Sequence, residues 1–196
     1  MTSKIRTGAL KSQKDKIVKI LQNGGIGVLP TDTIYGIVGQ ALNEKAVERI
    51  YTVRKRMPIK PMIILIGSFE DLGLFGIYPD KKAETKLKSV WPGKVSVVLL
   101  LEKTFAQEKF YYLHRGTNSL AFRLPANKGL QELISQTGPL VAPSANMEGL
   151  PPATTIDEAE NYFGDKVNFY IGDGKIAGKP SKLIKIESDK IIELRK

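Results

Sequence analysis

Apolar positions along this chain follow two rhythms. Short apolar runs alternate with stretches in which every third or fourth position is apolar. Runs rich in apolar residues read as strands at 26–29, 62–66, 95–101, 119–124, 139–142 and 167–171. The run at 62–66 is apolar throughout, as a central strand requires, and that at 95–101 reads as another buried one. The helical rhythm appears first near Ser12 and Asp15, which resemble a helix start. Ile17, Ile20 and Leu21 then form a stripe that Asn23-Gly24-Gly25 ends. Asn43 caps a second helix whose Ala46, Val47, Ile50 and Val53 share a face and whose C-terminal end carries Arg54 and Arg56. Further helices are predicted near 80–89, over 129–136, and from a Thr155 cap to about Phe163. Segments 182–187 and 190–195 read as strands joined at Ser188-Asp189. Alternating strands and helices closed by a hairpin predict an α/β fold, a twisted mixed sheet flanked by helices. No repeat or linker divides it, so one domain over 1–196 is expected, with its core at about 12–186.

Composition changes this picture little, and charge changes it more. Hydrophobic residues make up 42% and charged residues 26%, enough to bury a core. Thirty basic against twenty acidic residues give +10. That excess suits nucleic acid or a phosphorylated small molecule, and it equally suits a merely solvated basic surface. Cysteine is absent, which excludes disulfides, thiolate zinc sites and thiol nucleophiles. His114 is the only histidine, so a histidine-rich metal site is excluded and a structural place is expected for it. No apolar run nears the roughly 20 residues of a membrane helix, and the N-terminus lacks a signal-peptide core. A cytoplasmic protein with no membrane partner is expected.

Four segments at strand ends can carry chemistry. Pro30-Thr31-Asp32-Thr33-Ile34-Tyr35-Gly36 sets hydroxyls and an acid at a strand tip, with Gly36 free to turn or approach a ligand. Arg54-Lys55-Arg56-Met57-Pro58-Ile59-Lys60-Pro61 holds four cations in a proline-stiffened loop, suited to phosphate or carboxylate. Ala142-Pro143-Ser144-Ala145-Asn146 places a hydroxyl and an amide two residues apart, and Ser144 lacks the Gly-x-Ser-x-Gly context of a nucleophile. The glycine-rich stretch from Gly172 through Gly178-Lys179-Pro180-Ser181 can close over a ligand. Neither a Walker spacing nor Gly-x-Gly-x-x-Gly is present.

Taken in order, these segments, with Pro92-Gly93 and Arg123-Leu124-Pro125, resemble the YrdC/TsaC family of threonylcarbamoyl-AMP synthases over about residues 12 to 186. The resemblance implies a YrdC-like fold with a basic concave ligand-binding face. It implies a nucleotidyltransferase that makes threonylcarbamoyl-AMP and pyrophosphate from L-threonine, bicarbonate and ATP. Mg2+ would be held mainly by the ATP. A downstream tRNA threonylcarbamoyl transferase machinery would use the product, with weak tRNA binding. By position, Thr31, Tyr35 and Arg123 would hold threonine. Arg56, Lys60, Ser144, Asn146 and Ser181 would bind ATP and its phosphates, and Arg54, Arg56, Ser144 and Asn146 would act in catalysis. Arg54 stands where the family has lysine, and Ser96 where it often has threonine. Restoring lysine at 54 would keep activity if a compact ammonium suffices, or reduce it if the fork has become a necessary contact. The alternatives are a non-catalytic RNA-binding protein of this fold and a carbamoyl-adenylate enzyme with another acceptor.

Overall fold

The computed structural model describes residues 5–6, 10–187 and 190–195. Its strands are β1 (Ile5–Arg6), β2 (Gly27–Pro30), β3 (Tyr35–Gln40), β4 (Ile63–Leu65), β5 (Val95–Leu100), β6 (Ser119–Arg123), β7 (Leu140–Val141), β8 (Phe169–Tyr170), β9 (Lys182–Glu187) and β10 (Lys190–Arg195). They form one sheet in the order β1-β8-β2-β3-β7-β4-β6-β5-β9-β10. The β1–β8, β2–β8, β4–β6 and β5–β9 pairs are parallel and the others antiparallel, so the sheet is mixed. The helices are α1 (Leu10–Gln22), α2 (Glu44–Arg54), α3 (Lys81–Val90), α4 (Thr104–Lys109), α5 (Tyr111–His114), α6 (Lys128–Thr137) and α7 (Ile156–Phe163). Asn43, Asp80, Asn127 and Thr155 each accept a backbone N–H three residues on, in α2, α3, α6 and α7. Each such cap satisfies a donor that the helix start leaves open.

The period-2 alternation of the strands sorts residues onto two faces. On one face, Leu120 and Phe122 of β6, Val97 of β5 and Ile184 of β9 join a large core with α2 and the shorter helices. Phe75 meets Phe110 and Phe122 there at ring separations of 5.3 and 5.0 Å. On the other face α1 and α6 cover part of the sheet, packing Ile17, Leu21, Leu130, Leu133 and Ile134 on Leu29, Val38, Leu65 and Leu140. The rest of that face, over β4, β6, β5 and β9, is left bare of helix among the described residues. Its outward residues Ile63, Ala121, Val98 and Leu183 floor a cavity.

The sequence-based strands and helices are found within a few residues. Segment 35–40, expected to start as a loop, is strand β3, and α4, α5 and the 3-10 turn Glu70–Phe75 were not anticipated. The run at 95–101 is not buried throughout, since Leu100 is 55% exposed. The α1 backbone begins at Leu10, ahead of Ser12, while the Ser12 side chain and the Ser188-Asp189 junction lie outside what is described. His114 is fully buried. Its Nδ1 accepts the N–H groups of Gly116 and Asn118 at 3.0 and 3.2 Å, so its proton sits on Nε2, 2.7 Å from the Gln107 carbonyl. It is a structural residue that shapes the turn before β6. No described helix is long and apolar enough to cross a membrane.

Candidate active site

The cavity has a volume of about 440 Å³. Thr31, Arg54, Arg56, Arg123, Ser144 and Ser181 all border it, although they lie as much as 150 residues apart in sequence. Thr33, Thr117, Ser119 and Arg195 border it as well. Four arginines and no carboxylate line it among the described residues, which favours a ligand with several negative charges.

Arg54 is the last residue of α2, and only 2% of it is exposed. Its Nε donates to the Asn146 carbonyl at 2.9 Å. Its Nη2 donates to Asn146 Oδ1 at 2.9 Å and to Ser144 Oγ at 3.3 Å. Its Nη1 is buried with no hydrogen-bond partner. Burial, with the charge of Arg56 adding to it, lowers the guanidinium to about 10, so it is still a cation at neutral pH. Ser144 Oγ donates to Asn146 Oδ1 at 2.6 Å. Asn146 Nδ2 donates to the carbonyls of Met147 and Leu150. The Asn146 amide is thus engaged by protein at both ends, and the residue does not border the cavity.

Arg123, at the end of β6, is 3% exposed. Its Nη1 donates to Thr33 Oγ1 at 3.1 Å and lies 3.0 Å from Asp32 Oδ1, while its Nε is buried without a partner. Burial lowers its pKa, against the opposing pull of Asp32. Thr31 Oγ1 closes the 31–34 turn, donating to the Ile34 carbonyl at 2.6 Å and accepting the Thr33 and Ile34 N–H groups. Across the cavity rim, Ser181 Oγ is 2.8 Å from Ser96 Oγ, and Arg195 Nη2 donates to the Ser181 carbonyl at 2.7 Å. A bulge between Glu193 and Arg195 turns both Leu194 and Arg195 toward the cavity.

Besides Asn146, two more of the expected ligand residues stand off the cavity. Tyr35 is buried, and its hydroxyl accepts the Asp173 N–H at 2.8 Å and donates to the Gly174 carbonyl at 2.7 Å. Burial raises its pKa, which keeps it a neutral donor. It therefore ties the glycine-rich strap (residues 172–181) to β3 and does not border the cavity. Lys60 is exposed and reaches Glu148. Conversely, Thr33 was singled out only as part of its segment, with no role of its own, and Arg195 carried no functional expectation. Thr33 shares its motif with Thr31, a usable signal. Arg195 gave none, because only the long-range β5–β9 pairing brings its hairpin to the site.

A family model covering Sua5, YciO and YrdC proteins, described as telomere recombination, matches residues 19–196. A Pyrococcus abyssi threonylcarbamoyl-AMP synthase is 33% identical over 157 residues, which are 79% of this chain and 45% of that protein. A Methanocaldococcus jannaschii protein that carries the same name provisionally is 32% identical over 192 residues, 94% of this chain and 87% of its own. P. abyssi Sua5 complexed with L-threonine superposes with a TM-score of 0.84 at 29% identity, over 98% of this chain and 56% of that one. Escherichia coli YciO superposes with a TM-score of 0.82 at 20% identity, over 100% of this chain and 96% of its own, a likeness of fold. The chain thus spans nearly all of some relatives and about half of the P. abyssi protein.

Proposed function

Because the chain belongs to the Sua5/YciO/YrdC family, we propose that it is an L-threonylcarbamoyladenylate synthase acting on L-threonine, bicarbonate and ATP. One observation carries the reading beyond family membership. Four arginines border the cavity, Arg54 and Arg123 among them buried, and no carboxylate lines it among the described residues. Anionic oxygens are the natural complement of such a lining.

In this reading the threonine amine adds to bicarbonate with loss of water, giving a carbamate. A carbamate oxygen then attacks the α-phosphorus of ATP, and the bond to the pyrophosphate oxygen breaks. Neither step needs a nucleophilic side chain; both need positioning and charge neutralisation. Arg123, held by Thr33 and Asp32, receives the threonine carboxylate beside the Thr31 turn. Arg54, Arg56 and Ser144 face the phosphates, and Ser181 with Arg195 closes the rim. Asn146 acts one step back by fixing Arg54 and Ser144. The described residues offer no cluster of three or more potential metal ligands. Magnesium would enter on the ATP phosphates, as hard cations bound through few protein groups do. The product passes to a tRNA-modifying transferase.

The decisive assay is pyrophosphate release with ATP, magnesium and bicarbonate, with and without L-threonine. Threonine-dependent release together with AMP-linked threonine is expected. Folded protein that releases none, or that binds tRNA while ignoring ATP and threonine, overturns the reading.

A further inference from the structure

We propose that Glu148 is a positioning residue whose carboxylate latches the cationic 54–61 loop to the 144–149 loop, with Lys60 serving as the other half of the latch.

The 55–62 connection between α2 and β4 has no regular structure. It leaves the helix through Lys55 in the left-handed conformation, φ 50°. Most of its bonds are internal or to the helix before it. Arg56 Nε and Nη2 donate to the Lys60 and Pro61 carbonyls at 3.2 and 3.1 Å. The Lys60 N–H donates to the Met57 carbonyl at 3.2 Å, and the Tyr51 hydroxyl to that of Lys60 at 2.9 Å. Apolar packing does not hold the tip either, since Met57 and Ile59 are 50% and 62% exposed.

Glu148 reaches this loop at three points. Its own N–H donates to the Arg54 carbonyl at 2.9 Å. Its Oε2 accepts the Met57 N–H at 2.5 Å. Its Oε1 accepts the Lys60 ammonium. The Lys60 hydrogen bond first, and the Met57 N–H after it, hold the carboxyl below the usual range. An isolated exposed ion pair contributes little. This one is joined to a backbone N–H and fixes the loop that carries Arg56 and follows directly on Arg54, so its effect falls on the cavity. Lys60, engaged here, does not border that cavity.

The test uses Glu148→Ala, Lys60→Met, the double variant and the reversed pair Glu148→Lys/Lys60→Glu. One readout is tryptic cleavage after Lys55 and Arg56, followed beside the melting temperature. Each single variant is expected to be cleaved about fivefold faster with an unchanged melt, as for local opening. The other readout rests on the synthase reading. KM for ATP should rise about three- to tenfold with kcat nearly unchanged, the double variant should be no worse than either single, and the reversed pair should recover part of the loss. Unchanged cleavage in Glu148→Ala overturns the latch, whether or not the wild type makes threonylcarbamoyl-AMP. A Lys60→Met defect that adds to that of Glu148→Ala overturns it too and returns Lys60 to the phosphates.

Discussion

Arg54 uses its fork in a way that its position in the motif did not disclose. Three of its hydrogen bonds run to Ser144 and Asn146, from two nitrogens set at a fixed angle. A lysine carries one nitrogen and cannot span both the Asn146 carbonyl and its side chain. Arg54→Lys is therefore expected to lower kcat/KM at least tenfold, about 1.4 kcal/mol in the transition state. Kinetics with threonine and ATP varied separately check this, and an equal or faster variant would show that charge alone matters there. Tyr35→Phe removes a hydroxyl that both accepts from and donates to the strap. A loss of roughly 1–2 kcal/mol is expected, because a backbone N–H and a carbonyl lose their partner together. Urea unfolding measures it, and no change in midpoint would mean that water replaces the hydroxyl. Residue types at strand and helix ends made Thr31, Arg54, Arg56, Ser144 and Ser181 visible as candidates from sequence, and the ordered resemblance to the family added Arg123. They could not separate side chains that face the cavity from those, like Tyr35 and Asn146, that hold its walls.

Among elements, the strands with apolar runs were legible because one face packs in the core and the other floors an apolar-walled cavity, which leaves few positions for polar residues. Strand β3 was not, since Gly36 read as a place for the backbone to turn. In the structure Gly39 admits α2, and a Cβ there would come within 3.4 Å of Ile26, Ile50 and Ala46. The strap shows a tighter approach of the same kind. A Cβ on Gly178 would lie 2.0 Å from the Thr33 carbonyl oxygen, backbone against backbone. Gly178→Ala must push the strap off the 31–34 turn, so weaker threonine binding by tenfold or more is expected, with a lowered melting temperature. Calorimetric titration with threonine tests it, and wild-type affinity would mean that the turn and strap move as one. The β9–β10 hairpin was readable as a hairpin, but the bulge that aims Arg195 was not. Arg195→Ala should weaken ATP or threonine binding by about tenfold, the scale of a charge-assisted bond. Unaltered binding of both would remove β10 from the site.

At the scale of the whole molecule, a mixed α/β sheet was foreseeable from the alternation of runs. Which face would carry the cavity was not, because that depends on α1 and α6 covering only part of the second face. The same incomplete cover has a thermodynamic consequence. A layered domain gains stability by covering both sides of its sheet, and here the nucleotide and amino acid would serve as the missing tile. Substrates at about one hundred times their dissociation constant should stabilise the fold by about 2.7 kcal/mol, raising the melting temperature by roughly 5–10 °C for a domain of this size. Scanning calorimetry with threonine, ATP and both together reads the shift, and no shift at saturation would contradict it. Amide exchange should slow most in β10, the edge strand of the sheet, which pairs with β9 alone among the described residues. Such a protein would carry part of its own stability in the metabolite pool, and starvation for substrate would age it as well as idle it.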